Sequence, residues 1–300
     1  MSGRVKRKIQ GNRVRMKIPK RIQPLVDDGW IDEVISRLMS GKEADIYVVR
    51  CGPDIRCAKV YKEAAKRSFK KAAQYQEGRK VRNSRRGRAM EKGSKFGRKQ
   101  AEEIWQNAEV DALSRASLAG VRVPETFGCL DGVLLMELIT DDDGDVAPRL
   151  GDVNMSSDQA LDDHALVMEY VMRMLCAGLV HGDLSEFNVL VDAQGPVIID
   201  LPQAVDASAN NNAQVMFERD VNNMRSYYGQ FEPEILKTQY AKEIWALYED
   251  GELHPGTILT GLFVDDTDAA DVDSVLEDIK AVLAEEEARL ERLRDNESSE

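Results

Sequence analysis

The feature that most limits what this chain can become is one twenty-residue stretch, HGDLSEFNVLVDAQGPVIID, running from His181 to Asp200. Two apolar runs, NVLV and PVIID, flank a turn at Ala193-Gln194-Gly195, so the segment reads as two short strands joined tightly. Asp183, Asn188 and Asp200 stand at the ends of those strands. Together they form an all-oxygen set that suits Mg²⁺, a hard ion that keeps phosphate oxygens in its coordination shell. Turns capped by Asp and Asn are the plainer alternative. An Asp, an Asn five residues later and a strand-borne Asp twelve beyond that is a more specific pattern than capping requires.

The rest of the chain bounds the setting for that stretch. Its 300 residues, 43% of them hydrophobic, are enough for one large or two medium domains with real cores. No window approaches eighteen uninterrupted apolar residues, so no membrane span is expected. The opening MSGRVKRKIQGNRVRMK is basic but has no apolar core, which is unlike a secretory signal. Cys51, Cys57, Cys129 and Cys176 show no CxxC pair and read as reduced thiols, so the expected compartment is the cytoplasm.

Net charge is −12, yet the charge is strongly segregated. Residues 1–22 hold nine Lys/Arg and residues 62–99 hold fifteen, leaving 17 basic against 50 acidic residues elsewhere. Two basic segments on an acidic body predict a polyanionic partner such as RNA; neither membrane nor DNA is expected.

Residues 1–22 read as a basic flexible arm and residues 265–300 as an acidic helical tail, with Leu276, Ile279, Leu283, Leu290 and Leu293 at a/d-like intervals. Between them, Leu25, Val26, Trp30, Ile31, Val34, Ile35 and Leu38 recur at helical spacing over Pro24–Met39. DIYVVRCGPDIRCAKVYK predicts a hairpin about Cys51-Gly52-Pro53-Asp54, and the basic insert 62–99 has too little apolar material to be well ordered. A helix is expected over Ala101–Ala119, ending at Gly120, then strands in VRVPETFGCL and GVLLMELI. DDDGD at 141–145 reads as a linker. Beyond it, Leu161, Ala165, Met168, Met172 and Leu175 share a helical face capped near Gly178, and further helices fall within Phe217–Glu249.

The pattern H-x-D-x-x-x-x-N followed by a strand and an Asp matches the phosphoryl-transfer loop of protein kinases, where one Asp orients the attacking hydroxyl and the Asn and later Asp hold metal. The remaining parts should lie upstream. Lys59 in CAKVY stands on the second strand of the hairpin, where a kinase puts its phosphate-binding lysine, with Ala58 and Val60 on the other face. Glu109 on the following helix can pair with it, and Glu102 and Glu103 are rivals. LLMELI at 134–139 reads as the connector between lobes, so Glu137 and Ile139 are candidates to meet adenine. In place of GxGxxG there is MSGKEADIYVV, in which Ser40, Gly41 and Lys42 are the candidate phosphate donors. There is also no DFG and no APE, and only sixteen residues separate Asp200 from Phe217.

Taken together, SGKEADIY, AKVY, AGVRVPE, LLMELI, APRL, HGDLSEFNVLV, IIDLPQAV and FERDVNNM resemble the RIO-type atypical serine/threonine protein kinases, closest to the subfamily numbered one. The resemblance runs in order from about Asp32 to Tyr228. It implies an α+β, two-lobed, reduced kinase-like fold: a β-rich N-terminal lobe over 23–139 and a helical C-terminal lobe over 140–264. It also implies ATP with Mg²⁺, or Mn²⁺ in its place. Asp183 would be the base, Asn188 and Asp200 the metal ligands, and Lys59 the phosphate contact. In a related subfamily the aspartate matching Asp200 is credited with taking up phosphate during ATP hydrolysis, which would make Asp200 catalytic as well. Relatives act in maturation of the small ribosomal subunit. Two departures stand out: Phe187 where the family commonly has tyrosine, and Leu201-Pro202 after the metal aspartate.

Four functions therefore compete. A protein kinase and an ATPase switch in ribosomal or RNA assembly would use the same residues, with a hydroxyl or a water as acceptor. SGKEADIY and FERDVNNM argue against a small-molecule kinase, and retention of Lys59, Asp183, Asn188 and Asp200 argues against a noncatalytic RNA-binding module.

Overall fold

A computed structural model describes residues 17–62, 108–264 and 279–284 of the chain. Most of the basic arm, the insert after Lys62, Glu102, Glu103 and most of the acidic tail lie outside the described residues.

The N-terminal lobe is a five-stranded antiparallel sheet in the order β1-β2-β3-β5-β4. Its strands are β1 (Glu33–Ser40), β2 (Ala44–Cys51), β3 (Asp54–Tyr61), β4 (Thr126–Leu130) and β5 (Val133–Glu137). The expected hairpin is β2–β3, paired from Ala44↔Tyr61 to Cys51↔Asp54, with Gly52 at φ +62° turning the chain. The helix expected over Pro24–Met39 is not there. A short α1 (Gln23–Asp27) ends before Gly29, whose φ of +77° no helix allows, and β1 follows. The physical reason is visible in the register of β1 on β2. Irregularities at Val34/Ser36 and Arg37/Met39 each break the alternation of a strand. Apolar residues so displaced recur three or four apart and imitate helical spacing.

One core sits on the outer side of this sheet and includes Ile22, Leu25, Ile31, Tyr47, Val49, Ala58 and Val133. Ile22 is fully buried and Arg21 Nη1 donates to the Tyr61 carbonyl at 2.8 Å, so the packed lobe already includes the end of the segment read as an arm.

α2 is helical over residues 108–118 in the described part, ending as expected before Gly120 at φ +79°. Its Ala112, Leu113 and Ala116 join the larger core, which continues into the C-terminal lobe. Arg115 and Arg173 lock that junction: Arg115 Nη2 donates to the Ala177 carbonyl at 2.7 Å, and Arg173 Nη1 to the Gly120 carbonyl at 2.8 Å.

The C-terminal lobe is built on α3 (Ser157–Cys176), whose N-cap Ser156 accepts from the Gln159 amide. Its buried face carries Val167, Met168, Val171, Met172 and Leu175. Leu161 and Ala165, expected on that face, are exposed. The stripe is rotated because Asp163 and His164 take the inward positions of the first turns. Gly178, at φ +69°, reverses the chain one residue past the cap at Ala177. Short strands follow: β6 (Leu179–Val180), β7 (Val189–Asp192), β8 (Gly195–Ile198) and β9 (Val205–Asp206), paired β6–β9 and β7–β8. Helices α4 (Ala213–Tyr228) and α5 (Tyr240–Glu249) close the lobe. The whole is the reduced, two-lobed α+β arrangement of a protein kinase. Among the described residues no helix is long and apolar enough to cross a membrane.

Candidate active site

Lys59 lies in the middle of β3, paired with Ile46 on one side and Leu134 on the other, and its side chain is buried. Its Nζ contacts Glu109 Oε1 at 2.5 Å and also Asp200 Oδ1. Glu109, from the first described turn of α2, is the partner that forms, and its second oxygen accepts from the Tyr61 hydroxyl. Burial pulls the Lys59 ammonium down, but the Asp200 and Glu109 charges outweigh it and hold the group above the usual lysine range. For Asp200, whose side chain is 45% exposed, partial desolvation by its neighbours pushes upward and the Lys59 charge more than cancels it, leaving the carboxyl below its ordinary value. Glu109 goes the other way: burial and the neighbouring Asp200 raise it beyond the pull of Lys59. One lysine thus balances two carboxylates, a group with spare negative charge facing the cleft.

Asp200 has φ +66°, a left-handed conformation that non-glycine residues rarely adopt and that tends to persist at functional sites. The unusual Leu201-Pro202 that follows is accommodated simply. Leu201 is fully buried and its carbonyl accepts from the Ala204 amide.

The loop holding Asp183 is fastened from within. His181 is buried; its Nδ1 accepts from the Asp183 amide at 3.3 Å and its Nε2 donates to the Ile199 carbonyl at 3.1 Å, which assigns the proton to Nε2. Asp220 on α4, 2% exposed, accepts from the Gly182 amide at 2.7 Å and the Leu184 amide at 3.2 Å. Burial pushes Asp220 up to about 6, against the opposing pull of the Arg219 guanidinium and the Gly182 amide. Asn223 Nδ2 adds a bond to the Leu184 carbonyl at 2.9 Å. Asp183 itself stays exposed. Asn188 Nδ2 donates to the Asp183 carbonyl at 2.8 Å, and the Ile199 amide donates to the Asn188 carbonyl at 3.0 Å. The Asp183–Asn188 loop is therefore tied to Ile199, the residue just before Asp200.

The turn that stands where GxGxxG would is closed by side chains. Ser40 Oγ donates to Asp45 Oδ1 at 2.6 Å, and Lys62 Nζ donates to the Gly41 carbonyl at 2.5 Å. The Gly41 amide, expected to be free for phosphate, instead donates to the Ala44 carbonyl at 2.9 Å, because the two-strand turn needs that bond. Lys42 is exposed at the turn. On the connector, the Glu137 amide donates to the Glu125 carbonyl at 2.8 Å and the Ile139 carbonyl accepts from Ala147 at 3.0 Å. Those two groups are committed within the protein.

Tyr61, Asp220 and Asn223 join the site without a motif of their own to mark them. For Asp220 a signal existed, an acid flanked by Phe217, Val221 and Met224 on the apolar side of a helix.

The donor set fits a divalent cation. With Nδ2 of Asn188 committed to the Asp183 carbonyl, its amide oxygen remains for a ligand beside the Asp200 carboxylate. Among the described residues no three His, Cys, Asp or Glu side chains converge as a self-sufficient metal site, so phosphate or water oxygens would complete the shell.

Comparison with known proteins agrees with this geometry. A family model described as the RIO domain matches residues 45–241. The chain is 36% identical to the RIO-type serine/threonine-protein kinase Rio1 of Haloferax volcanii, over 69% of this chain and 67% of that protein. It is 31% identical to the human serine/threonine-protein kinase RIO1 over 67% of this chain, which is only 34% of the human protein's length. With the Rio1 of Methanocaldococcus jannaschii the identity is 30%, over 66% of this chain and 63% of that one.

Proposed function

Because this chain belongs to the RIO domain family, in the Rio1 branch, we propose that it is an atypical serine/threonine protein kinase that transfers the terminal phosphate of ATP. The observation that carries the reading is the convergence of Lys59, Glu109 and Asp200 in one ion-paired group beside the Asp183–Asn188 loop.

In this reading Lys59 exchanges Asp200 for nucleotide phosphate oxygens while Glu109 keeps it aimed. Asp183, exposed at the end of a rigid loop, takes the proton of the attacking hydroxyl. The Asn188 amide oxygen and Asp200 would hold a divalent cation, Mg²⁺ or Mn²⁺, which would offset phosphate charge. Lys42 lends positive charge at the turn, and the connector backbone around Glu137 and Ile139 meets the adenine edge. The test is transfer of label from γ-labelled ATP to protein, measured with and without divalent cation. Label transfer that survives chelation would contradict the assignment.

A second reading, an ATPase switch with water as acceptor, is favoured by one observation. The segment after Asp200 is short and packed: Leu201, Pro202, Ala204, Val205 and Ala207 are buried and β9 is paired with β6. It offers no extended platform for a peptide. Comparing phosphate release with protein labelling, in the presence and absence of ribosomal subunits, separates the two. The basic segments 1–22 and 62–99 support an RNA-bearing partner such as a ribosomal subunit, and a cytoplasmic setting accords with that. If so, replacing residues 66–98 with a short Gly/Ser linker lowers RNA affinity and its salt dependence. Unchanged affinity would exclude the insert as the contact.

A further inference from the structure

Arg149 of the APRL segment crosses the mouth of the cleft. Its backbone forms a β-bridge with Leu190, and the Val191 amide donates to the Pro148 carbonyl at 2.9 Å, so the residue is tied beside β7, just after Asn188. Its side chain reaches the opposite lobe, where Nη2 lies 2.8 Å from Met39 Sδ, next to Ser40 and the turn that replaces the glycine-rich loop. Its charge is also among those that lower Asp200.

The partner is what makes this arginine unusual. Arg115, Arg122, Arg173, Arg219 and Arg225 all donate to carbonyl or carboxylate oxygens. Arg149 has a thioether, a weak acceptor, and among the described residues no carboxylate lies within ion-pair distance of it. A half-buried guanidinium without an anion, held at a site with Lys59 and Lys42, matches what a phosphate chain needs: a planar fork of donors that can bind two oxygens at once.

We propose that Arg149 contacts the phosphate chain of the bound nucleotide, exchanging Met39 Sδ for phosphate oxygens and so drawing the two lobes together over it. The inference rests on the ATP-dependent reading above and adds a phosphate-contacting residue to it.

The experiment is a titration of the full chain with adenosine, AMP and ATP, each with Mg²⁺, for wild type, Arg149→Ala, Arg149→Lys and Met39→Leu. Unfolding midpoints are measured on the same samples. Charge-assisted bonds to phosphate predict that Arg149→Ala weakens ATP by about 10- to 100-fold. Adenosine should change by less than about 2-fold, and Arg149→Lys should recover part of the loss. Met39→Leu should bind ATP nearly as wild type does. Equal losses for adenosine and ATP, or a Met39→Leu variant as weak as Arg149→Ala, would show a lobe clamp and overturn the proposal. So would ATP affinity in Arg149→Ala equal to wild type. If wild type itself fails to prefer ATP over adenosine, the nucleotide reading fails along with it.

Discussion

The loop that carries Asp183 and the turn at Ser40–Lys42 face the same cleft, yet they are held in opposite ways. The Asp183 loop is gripped from below by buried groups. Asp220 caps two amides, His181 bridges to Ile199, and Asn223 holds the Leu184 carbonyl. The turn is gripped by less buried groups, the exposed Ser40 with the partly buried Asp45 and Lys62. A buried charge-assisted contact is costly to lose, whereas an exposed one is screened by water and contributes little. If Asp183 is the base proposed above, it is preset by its loop, while the turn at Ser40–Lys42 can adjust at small cost.

The largest effect on this contrast is expected from Asp220→Ala. It strips the caps from the Gly182 and Leu184 amides in a site that water does not reach, so about 3 kcal/mol of unfolding free energy should be lost. Chemical denaturation measures it, and a loss under about 1 kcal/mol would mean that the loop holds itself.

Next is the Lys59–Glu109 pair. Each single change to alanine leaves the partner uncompensated, so both should raise the ATP KM and the double variant should be little worse than either. A coupling of about 2 kcal/mol is expected from the cycle. Strict additivity would mean the 2.5 Å contact does no work in nucleotide binding.

The protonation of Asp220 offers a third probe. Its folded-state value, pushed up to about 6, lies above that of an unfolded aspartate. The unfolded chain therefore releases this proton first. The stability that goes with the protonated form is complete below about pH 4 and is lost as pH rises through 6. Wild type should lose ground to Asp220→Asn across that window by on the order of 2 kcal/mol, then run parallel. Measuring the difference between variants isolates Asp220 from Asp163 and His164, which also titrate in this range. A flat difference would remove Asp220 as a group strained by burial.

The smallest effect belongs to the turn. Ser40→Ala and Lys62→Ala should each cost less than about 1 kcal/mol in stability, and any change in ATP KM should weaken with added salt. A destabilisation as large as that of Asp220→Ala would erase the contrast.

Much of this arrangement is legible in the residues. The β2–β3 hairpin follows from alternation around Gly52-Pro53, and the spacing of Asp183, Asn188 and Asp200 already implies a shared site. Lys59 and Glu109 could be named, but not uniquely paired, because helical spacing alone leaves Glu102 and Glu103 as equals. Two irregularities in the pairing of β1 disguise a strand as a helix in the sequence. Whether the Gly41 amide is free depends on the turn that forms around it, which the residues alone do not show. Asp220 and Arg149 escaped for a common reason: their partners are remote in sequence, and only the packed chain brings α4 under the loop or APRL across to Met39.

Asp183 is where the proposed chemistry is tested most directly. Single-turnover phosphoryl transfer from γ-labelled ATP should be followed in wild type and Asp183→Ala, with ATP affinity measured on the same preparations. A preset base predicts ATP affinity within about 2-fold of wild type and a turnover lower by roughly two to four orders of magnitude. Near-wild-type turnover in Asp183→Ala, for both protein labelling and phosphate release, would contradict the assignment of this loop as the centre of the chemistry.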